Sequence, residues 1–165
     1  MKLQKAGPEH CKHLRMIMVW ADITAPRYWW IEADTYRNGV EKVSCSTMHK
    51  LTSREITLDD FEHDDTPHSM NAARGCVSYV EDLRKEYLDT EDPELKTAIW
   101  RTLIQNLPQS YLQKRTVMFS YAALRNIVRQ RANHKLKEWH QFIDWVHALP
   151  YASQLIFDEE VPTNV

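Results

Sequence analysis

The second half of the chain places apolar and polar residues at the spacing of an α-helix. This pattern predicts helices over residues 69–89, 93–106, 121–131 and 135–149. In the first of them, the residues that repeat on one face are Val77, Val80, Leu83 and Tyr87. Each apolar face has to pack on other apolar residues, so we expect these helices to cover the core of the protein.

Shorter segments have the β-branched and aromatic composition of strands. They are residues 14–23, 40–51 and 111–120. After the first strand, Pro26 suits the first turn of a helix predicted over 26–37, and Asn38-Gly39 predicts a turn. The pattern therefore predicts a mixed α/β (α+β) protein with few strands and more helix than strand.

Composition and charge limit the class of protein that this chain can form. With 165 residues, 43% of them hydrophobic and 27% charged, the chain suits one globular domain over 1–165. The net charge of −2 gives no bulk attraction to nucleic acid or to anionic membranes. No apolar run approaches the roughly 18 residues that span a bilayer, and the N-terminus lacks the apolar stretch of a secretion signal. Cys11, Cys45 and Cys76 are widely spaced, which favours reduced thiols in a cytoplasm.

The chain lacks the motifs of metal and phosphate-loop sites. Its glycines are isolated, which argues against a phosphate-cradling loop, and it has neither a CxxC pair nor HExxH. His49, His63 and His68 lie in or beside the acidic stretch 52–69, but their spacing is not that of a ligand set. We therefore predict no metal there and a solvated surface loop. Cys45 lies near His49 without a third group to orient the pair, so the catalytic residues are unknown.

Arginines at the ends of elements are the better candidates for chemistry. Arg131 closes an apolar helix face, where it can hold a phosphate or carboxylate with two hydrogen bonds or form a salt bridge with an acidic residue. Arg37 follows the aromatic helix, and Lys114 and Arg115 lie on the strand before the Arg131 helix. Cations from these segments that converge beside aromatic rings form an anion pocket that suits a nucleotide.

The order of these elements carries a resemblance. Leu107-Pro108 precedes an aromatic strand and a helix, and the run RQRANHKLKEW then contains Arg131, His134 and Trp139. This resembles the flavin-dependent thymidylate synthases of the ThyX type, where the same helix ends in LR-x-x-x-H-A-Q-W-E. The chain also looks like the short ThyX-like proteins of phages and prophages, and the likeness covers residues 12–145. It implies a ThyX-like fold, with a small, mostly antiparallel sheet packed against several long helices.

The resemblance also implies ligands and partners. It implies a cytoplasmic homo-oligomer, a tetramer or a dimer, that binds FAD where subunits meet and dUMP beside it, while folate and NADPH supply carbon and hydride. The flavin then does the redox work, so no protein nucleophile is needed. From the resemblance and from the converging cations, the expected nucleotide-binding residues are Arg131, Arg37, Ser46 and Arg115. The expected cofactor-binding residues are Asn126, His134 and Tyr36.

The chain departs from the pattern of that family at several positions. The family triplet RHR reads Thr35-Tyr36-Arg37 here, and the segment with Ser46 has lost its asparagine, glutamate and arginine. Glu32 stands where the family has glutamine, and a carboxylate beside an anionic nucleotide is unfavourable. Each lost charged hydrogen bond is worth roughly 1.5–3 kcal/mol, so the departures together weaken the binding of flavin and dUMP.

With the resemblance to phage ThyX-like proteins, these departures predict a diverged phage protein with a nucleotide- or anion-binding pocket but without full thymidylate synthase activity. Such a protein either sequesters a nucleotide or binds a host defence protein. The alternative is an active, minimal flavin-dependent methyltransferase that converts dUMP to dTMP. A third possibility is direct binding of nucleic acid through the locally basic stretch 125–137.

Overall fold

The computed structural model describes residues 8–45 and 50–158, except for the side chains of residues 8 and 9. Its first half contains a 3₁₀ helix (Pro8–Arg15), β1 (Met18–Pro26), α1 (Arg27–Ala33), β2 (Val40–Ser44) and a 3₁₀ turn (Leu58–Asp60). Its second half contains α2 (Pro67–Asp89), α3 (Pro93–Gln105), β3 (Leu112–Ser120), α4 (Tyr121–Arg131), α5 (Lys137–His147) and α6 (Ala152–Leu155). Helices predominate beside one small sheet, which confirms the predicted α+β class.

The sheet has the strand order β1-β3-β2, so the last strand in sequence lies in the middle. It is antiparallel. The backbone N–H of Ser120 donates to the carbonyl of Gly39 at 2.8 Å, and the N–H of Tyr121 donates to Ile17 at 2.9 Å. The prediction of a small antiparallel sheet is confirmed.

The first strand differs from its prediction over 14–23. Leu14 belongs to the 3₁₀ helix and is buried, and the strand starts at Met18 and continues to Pro26. Exposed and half-buried residues alternate along β1, so one face of the strand meets solvent. Proline is tolerated at Pro26 because β1 lies at the edge of the sheet and this is its last residue.

The two long helices begin at prolines that follow capping residues. In α2, the side chain of Thr66 accepts a hydrogen bond from the N–H of Ser69 at 3.3 Å, so Thr66 is the cap and Ser69, where the helix was predicted to begin, lies inside it. In α3, which begins at Pro93 as predicted, Asp92 accepts from the N–H of Glu94 at 2.9 Å. Proline suits such positions because the first N–H groups of a helix have no partner within the helix.

The helix α1 is shorter than its prediction over 26–37. Its last carbonyl groups bind side chains: the Thr35 hydroxyl donates to the Glu32 carbonyl at 2.7 Å, and the Lys42 ammonium donates to the Ala33 carbonyl at 2.8 Å. These bonds satisfy groups that a longer helix would have used. The strand β2 likewise ends at Ser44 and not at 51, and residues 46–49 of that prediction lie outside the described residues.

The chain divides into two compact units. Unit 1 consists of Met1–Ile23, Glu32–Val43 and Thr116–Val165. Unit 2 consists of Thr24–Ile31 and Ser44–Arg115. The single domain expected from chain length stays a prediction.

The core of unit 1 is rich in aromatic rings from β3 and α5. Trp139 and Phe142 meet edge to face with their centroids 5.7 Å apart, and Phe119 and Phe142 do the same at the same distance. Leu124 and Ile127 on the inner face of α4 are buried beside the first 3₁₀ helix. These ring contacts pack β3 against α5.

The core of unit 2 forms where α2 packs on α3. Its buried residues are Leu51, Ile56, Phe61, Val80, Leu103, Leu107 and Tyr111. Val80 of α2 and Leu103 of α3 belong to this core, and Val77, Leu83 and Tyr87 of the predicted α2 face pack against it. None of the helices in residues 8–45 and 50–158 combines the length and the apolar character needed to cross a bilayer.

Candidate functional site

Arg131 ends α4 in unit 1, and its guanidinium is bound by the chain itself. Its Nη1 lies 2.6 Å from Oε2 of Glu32, and its Nε donates to the hydroxyl oxygen of Tyr36 at 2.8 Å. The guanidinium carbon also lies 4.7 Å from the centroid of a Trp139 ring, which adds a cation–π contact. Of the two roles considered for Arg131 from the sequence, the structure contains the salt bridge.

The Glu32 carboxylate collects donors from three side chains. Besides Arg131, the indole Nε1 of Trp139 lies 3.0 Å from Oε2, and Nε2 of His134 lies 3.2 Å from it. The other ring nitrogen of His134, Nδ1, accepts from the N–H of Leu136 at 3.2 Å, so Nε2 is the nitrogen that can donate to Glu32. We call Glu32, Tyr36, Arg131, His134 and Trp139 the Glu32 cluster.

The structure brings three of the predicted site residues together: Arg131, Tyr36 and His134 all belong to the Glu32 cluster. Arg37 is exposed, and its side chain makes no hydrogen bond or ion pair with the described residues. Asn126 is exposed on α4, where its side-chain oxygen accepts from Gln130 at 3.1 Å. Ser46 lies outside the described residues. The nucleotide- and cofactor-binding roles of all these residues stay predictions.

Arg115, the remaining predicted site residue, belongs to unit 2. Its guanidinium carbon lies 4.3 Å from the centroid of the Trp30 ring, and its Nη2 donates to the Gln113 side chain at 3.1 Å. Trp30 is buried and donates its indole N–H to the Gln113 carbonyl at 3.0 Å. Residues alternate sides along a strand, so the neighbouring Lys114 points to the opposite face.

Lys114 lines a cavity of about 650 Å³ in unit 2. The lining residues are Cys45, Lys50, Ser53, Arg54, Tyr111, Leu112, Gln113 and Lys114. Three of them are cations and none is a carboxylate, so the cavity attracts anions. The sequence pointed to Lys114 but not to Lys50 or Arg54, because these two lie in the strand predicted over 40–51 and in the surface loop predicted over 52–69.

A buried carboxylate lies behind one of these cations. Arg54 forms a double hydrogen bond with Asp60, whose side chain is buried. Burial raises the pKa of the Asp60 carboxyl, but the hydrogen bonds from Arg54 and from the Thr57 N–H outweigh it, and the net pKa is lowered. Burial, with the Asp60 charge, raises the pKa of the Tyr111 hydroxyl, which therefore stays protonated and able to donate. Lys50 and Lys114 are the other two cations that line the cavity.

Two further observations bear on cofactors. No group of three or more His, Cys, Asp or Glu side chains that might hold a metal ion occurs within residues 8–45 and 50–158. The described cysteines Cys11, Cys45 and Cys76 are all free thiols, of which Cys45 is the exposed one.

The fold matches known structures, although no protein-family model and no curated protein sequence matches this chain. One match is a crystal structure of the flavin-dependent thymidylate synthase ThyX from Helicobacter pylori complexed with FAD and dUMP. It shares 17% sequence identity and a TM-score of 0.63, covering 92% of this chain and 84% of that one. A second structure of ThyX from that organism with FAD and dUMP has a TM-score of 0.64 at 17% identity, covering 93% of this chain and 84% of the other. The chain therefore has a ThyX-like fold, as the sequence predicted.

Proposed function

We propose that this protein is a nucleotide-binding member of the ThyX-like fold that lacks full thymidylate synthase activity. The nucleotide phosphate binds in the unit 2 cavity, on Lys50 and Lys114. The observation that carries the proposal is this cavity, which has cations and no carboxylate in its lining. The fold adds support, because the matched ThyX structures are complexed with dUMP and FAD.

The size and chemistry of the cavity favour a nucleotide. A volume of about 650 Å³ lies within the usual range for small-molecule sites. Lysine ammonium groups bind phosphate oxygens through charge-assisted hydrogen bonds, and the protonated Tyr111 hydroxyl and the Gln113 amide offer polar contacts to a base or a sugar. A pyrimidine nucleotide such as dUMP combines these features.

The Glu32 cluster supports the loss of synthase activity. Tyr36 and His134, which the resemblance assigned to a flavin, already have partners within the chain: the Tyr36 hydroxyl accepts from Arg131, and both ring nitrogens of His134 are engaged. As they stand, these groups do not fit a flavin, so we derive no catalytic step through it. The second candidate is a minimal flavin-dependent methyltransferase acting on dUMP, and only the likeness of fold supports it.

The proposal is tested by calorimetric titration of the protein with dUMP. The matched pair is Lys114→Gln, which removes a cation lining the cavity, and Arg74→Gln, which removes an exposed cation of α2 outside the cavity lining. We expect Lys114→Gln to weaken dUMP binding about tenfold or more, the cost of one charged hydrogen bond, and Arg74→Gln to leave it unchanged. Equal loss in both variants, or no binding of dUMP by the wild type, would overturn the cavity assignment.

A second measurement separates the two candidate functions. The wild type, supplied with dUMP, FAD, methylenetetrahydrofolate and NADPH, is expected to form no dTMP, and the freshly purified protein is expected to be colourless. Formation of dTMP by a yellow preparation would instead establish the methyltransferase. If dUMP binds and no dTMP forms, the protein sequesters the nucleotide.

We also propose a homo-oligomer, which is supported by an exposed apolar face in unit 1. Trp20 on β1 is 67% exposed and Val43 on β2 is 73% exposed. The Thr116 hydroxyl donates to Asp22 at 2.6 Å, so β1 and β3 share this face, and Trp20 lies on it two residues from Asp22. An apolar surface of this kind is typical of subunit interfaces.

Three free thiols suit a reducing compartment, so we place the protein in a bacterial cytoplasm. Its origin in a phage and its binding of a host protein stay predictions. Binding to a host protein becomes the leading candidate if dUMP and other nucleotides fail to raise the melting temperature of the protein.

A further inference from the structure

Three hydrogen-bond donors in unit 1 converge on a single oxygen atom. Oε2 of Glu32 lies 2.6 Å from Nη1 of Arg131, 3.0 Å from Nε1 of Trp139 and 3.2 Å from Nε2 of His134. A guanidinium, an indole N–H and an imidazole N–H form a set that stabilises a carboxylate oxygen. The space occupied by the Glu32 carboxylate is thus surrounded by matched donors.

Each donor also has a contact that does not involve Glu32. Nε of Arg131 donates to the Tyr36 hydroxyl at 2.8 Å, and the His134 ring accepts from the N–H of Leu136. Trp139 is only 1% exposed and packs edge to face against Phe142. Since none of these contacts involves Glu32, we expect them to hold the donors in place without it, as a preorganised site.

Glu32 is the member of the cluster most able to leave. Its side chain is 33% exposed, compared with 17% for Arg131 and 24% for His134. It lies one residue before the end of α1, and no other described ion pair involves it. The nearby Asp34 is paired with Lys42 at 2.9 Å, so that lysine does not hold Glu32 in place.

We propose that Arg131, His134 and Trp139 form a binding site for a small carboxylate, and that Glu32 occupies it as an autoinhibitory ligand of the chain itself. A carboxylate from solution binds only by displacing Glu32. An intramolecular carboxylate competes at a high effective concentration, so the natural chain resists free anions until Glu32 is withdrawn. This site lies in unit 1 and does not depend on the nucleotide cavity of unit 2.

The test uses Glu32→Gln, which keeps the shape of the side chain and removes its charge. Formate is titrated into protein with ¹⁵N-labelled tryptophan, and the Trp139 indole N–H resonance is followed after its assignment with Trp139→Phe. We expect a saturable shift in Glu32→Gln, with a formate affinity at least about tenfold higher than in the wild type. Adding Arg131→Met to this variant should abolish the shift, and sodium chloride at equal ionic strength should not reproduce it.

In Glu32→Gln, an amide that stays hydrogen-bonded to the donors would block formate, so a second variant removes the side chain. Glu32→Ala opens the site fully and is expected to regain part of its lost melting temperature with formate or acetate, but not with chloride. The proposal is overturned if formate and acetate have no more effect than chloride on both variants. It is also overturned if the Arg131→Met double variant responds as strongly as Glu32→Gln does.

Discussion

The Glu81 carboxylate in α2 accepts a hydrogen bond from the backbone N–H of Ile56 at 3.0 Å, although 25 residues separate the two in sequence. The same carboxylate accepts two bonds of 2.7 Å from Arg84, one turn further along the helix. Glu81 is 7% exposed, so these bonds form largely away from water. The Glu81 side chain thus links the irregular segment around Ile56 to α2, the longest helix of unit 2.

We predict that Glu81→Gln destabilises the protein in a pH-dependent way. The hydrogen bond from Arg84 outweighs burial and, together with the Ile56 N–H, lowers the pKa of Glu81 from 4.5 to about 2. A depressed pKa means that the stabilisation is fully present above about pH 4.5 and is lost as the pH falls toward 2. The free energy of unfolding from urea titration should fall by roughly 1.5–3 kcal/mol at neutral pH.

The control for this prediction is Glu86→Gln, at an exposed position on the same helix. We expect it to change stability little at any pH. The difference in free energy of unfolding between wild type and Glu81→Gln should shrink steadily as the pH is lowered. A difference that stays constant from neutral to acidic pH would mean that the ionised carboxylate is not the source of the stabilisation.

Two glycines should respond in opposite ways to alanine. Gly39 has a φ of 72°, and a Cβ there would overlap Oγ of Ser120, whose hydroxyl caps α4 by accepting from Ala123. We expect Gly39→Ala to lower the free energy of unfolding by at least about 1–2 kcal/mol for the left-handed backbone alone.

Gly75 in α2 has open space around its Cβ position, so Gly75→Ala should stabilise the protein by up to about 1 kcal/mol. Urea unfolding measures both, and a stable Gly39→Ala protein would contradict the turn geometry.

Cys45 should be the first thiol to react with iodoacetamide. It is exposed, whereas Cys11 and Cys76 are partly buried. Because Cys45 lines the unit 2 cavity, bound dUMP should slow its alkylation and leave the other two rates unchanged. Peptide mass spectrometry over a time course reports all three. If dUMP binds by calorimetry without protecting Cys45, the nucleotide occupies another place.

The exposed indole of Trp20 should matter for assembly. If the apolar face of unit 1 is a subunit interface, Trp20→Asp should lower the number of subunits, because a buried unpaired charge is costly. The comparison is Ile31→Asp, at a position that is 61% exposed in unit 2. Native mass spectrometry counts subunits in each protein. A wild-type protein that is already monomeric would contradict the proposed oligomer.

The local elements followed from the sequence where the signals were short-range. The Asp92-Pro93 pair placed the start of α3, and the apolar spacing that ends at Arg131 placed α4. Helical periodicity and capping depend on neighbours within one turn, so a linear pattern contains them. The end of α1 was misplaced, because the side chain of Lys42, nine residues beyond Ala33, supplies the partner of a terminal backbone carbonyl.

The candidate site was likewise predicted from the sequence only in part. By itself, the sequence determined that Arg131 ends an apolar helix and that Tyr36, His134 and Trp139 accompany it in the pattern of a ThyX-like fold. Only the tertiary structure decided that Glu32 satisfies Arg131 and that Lys50 and Lys114 face one cavity. The physical reason is that a charge is neutralised by whichever opposite charge the folded chain brings within hydrogen-bond distance, and spacing along the chain does not specify that partner.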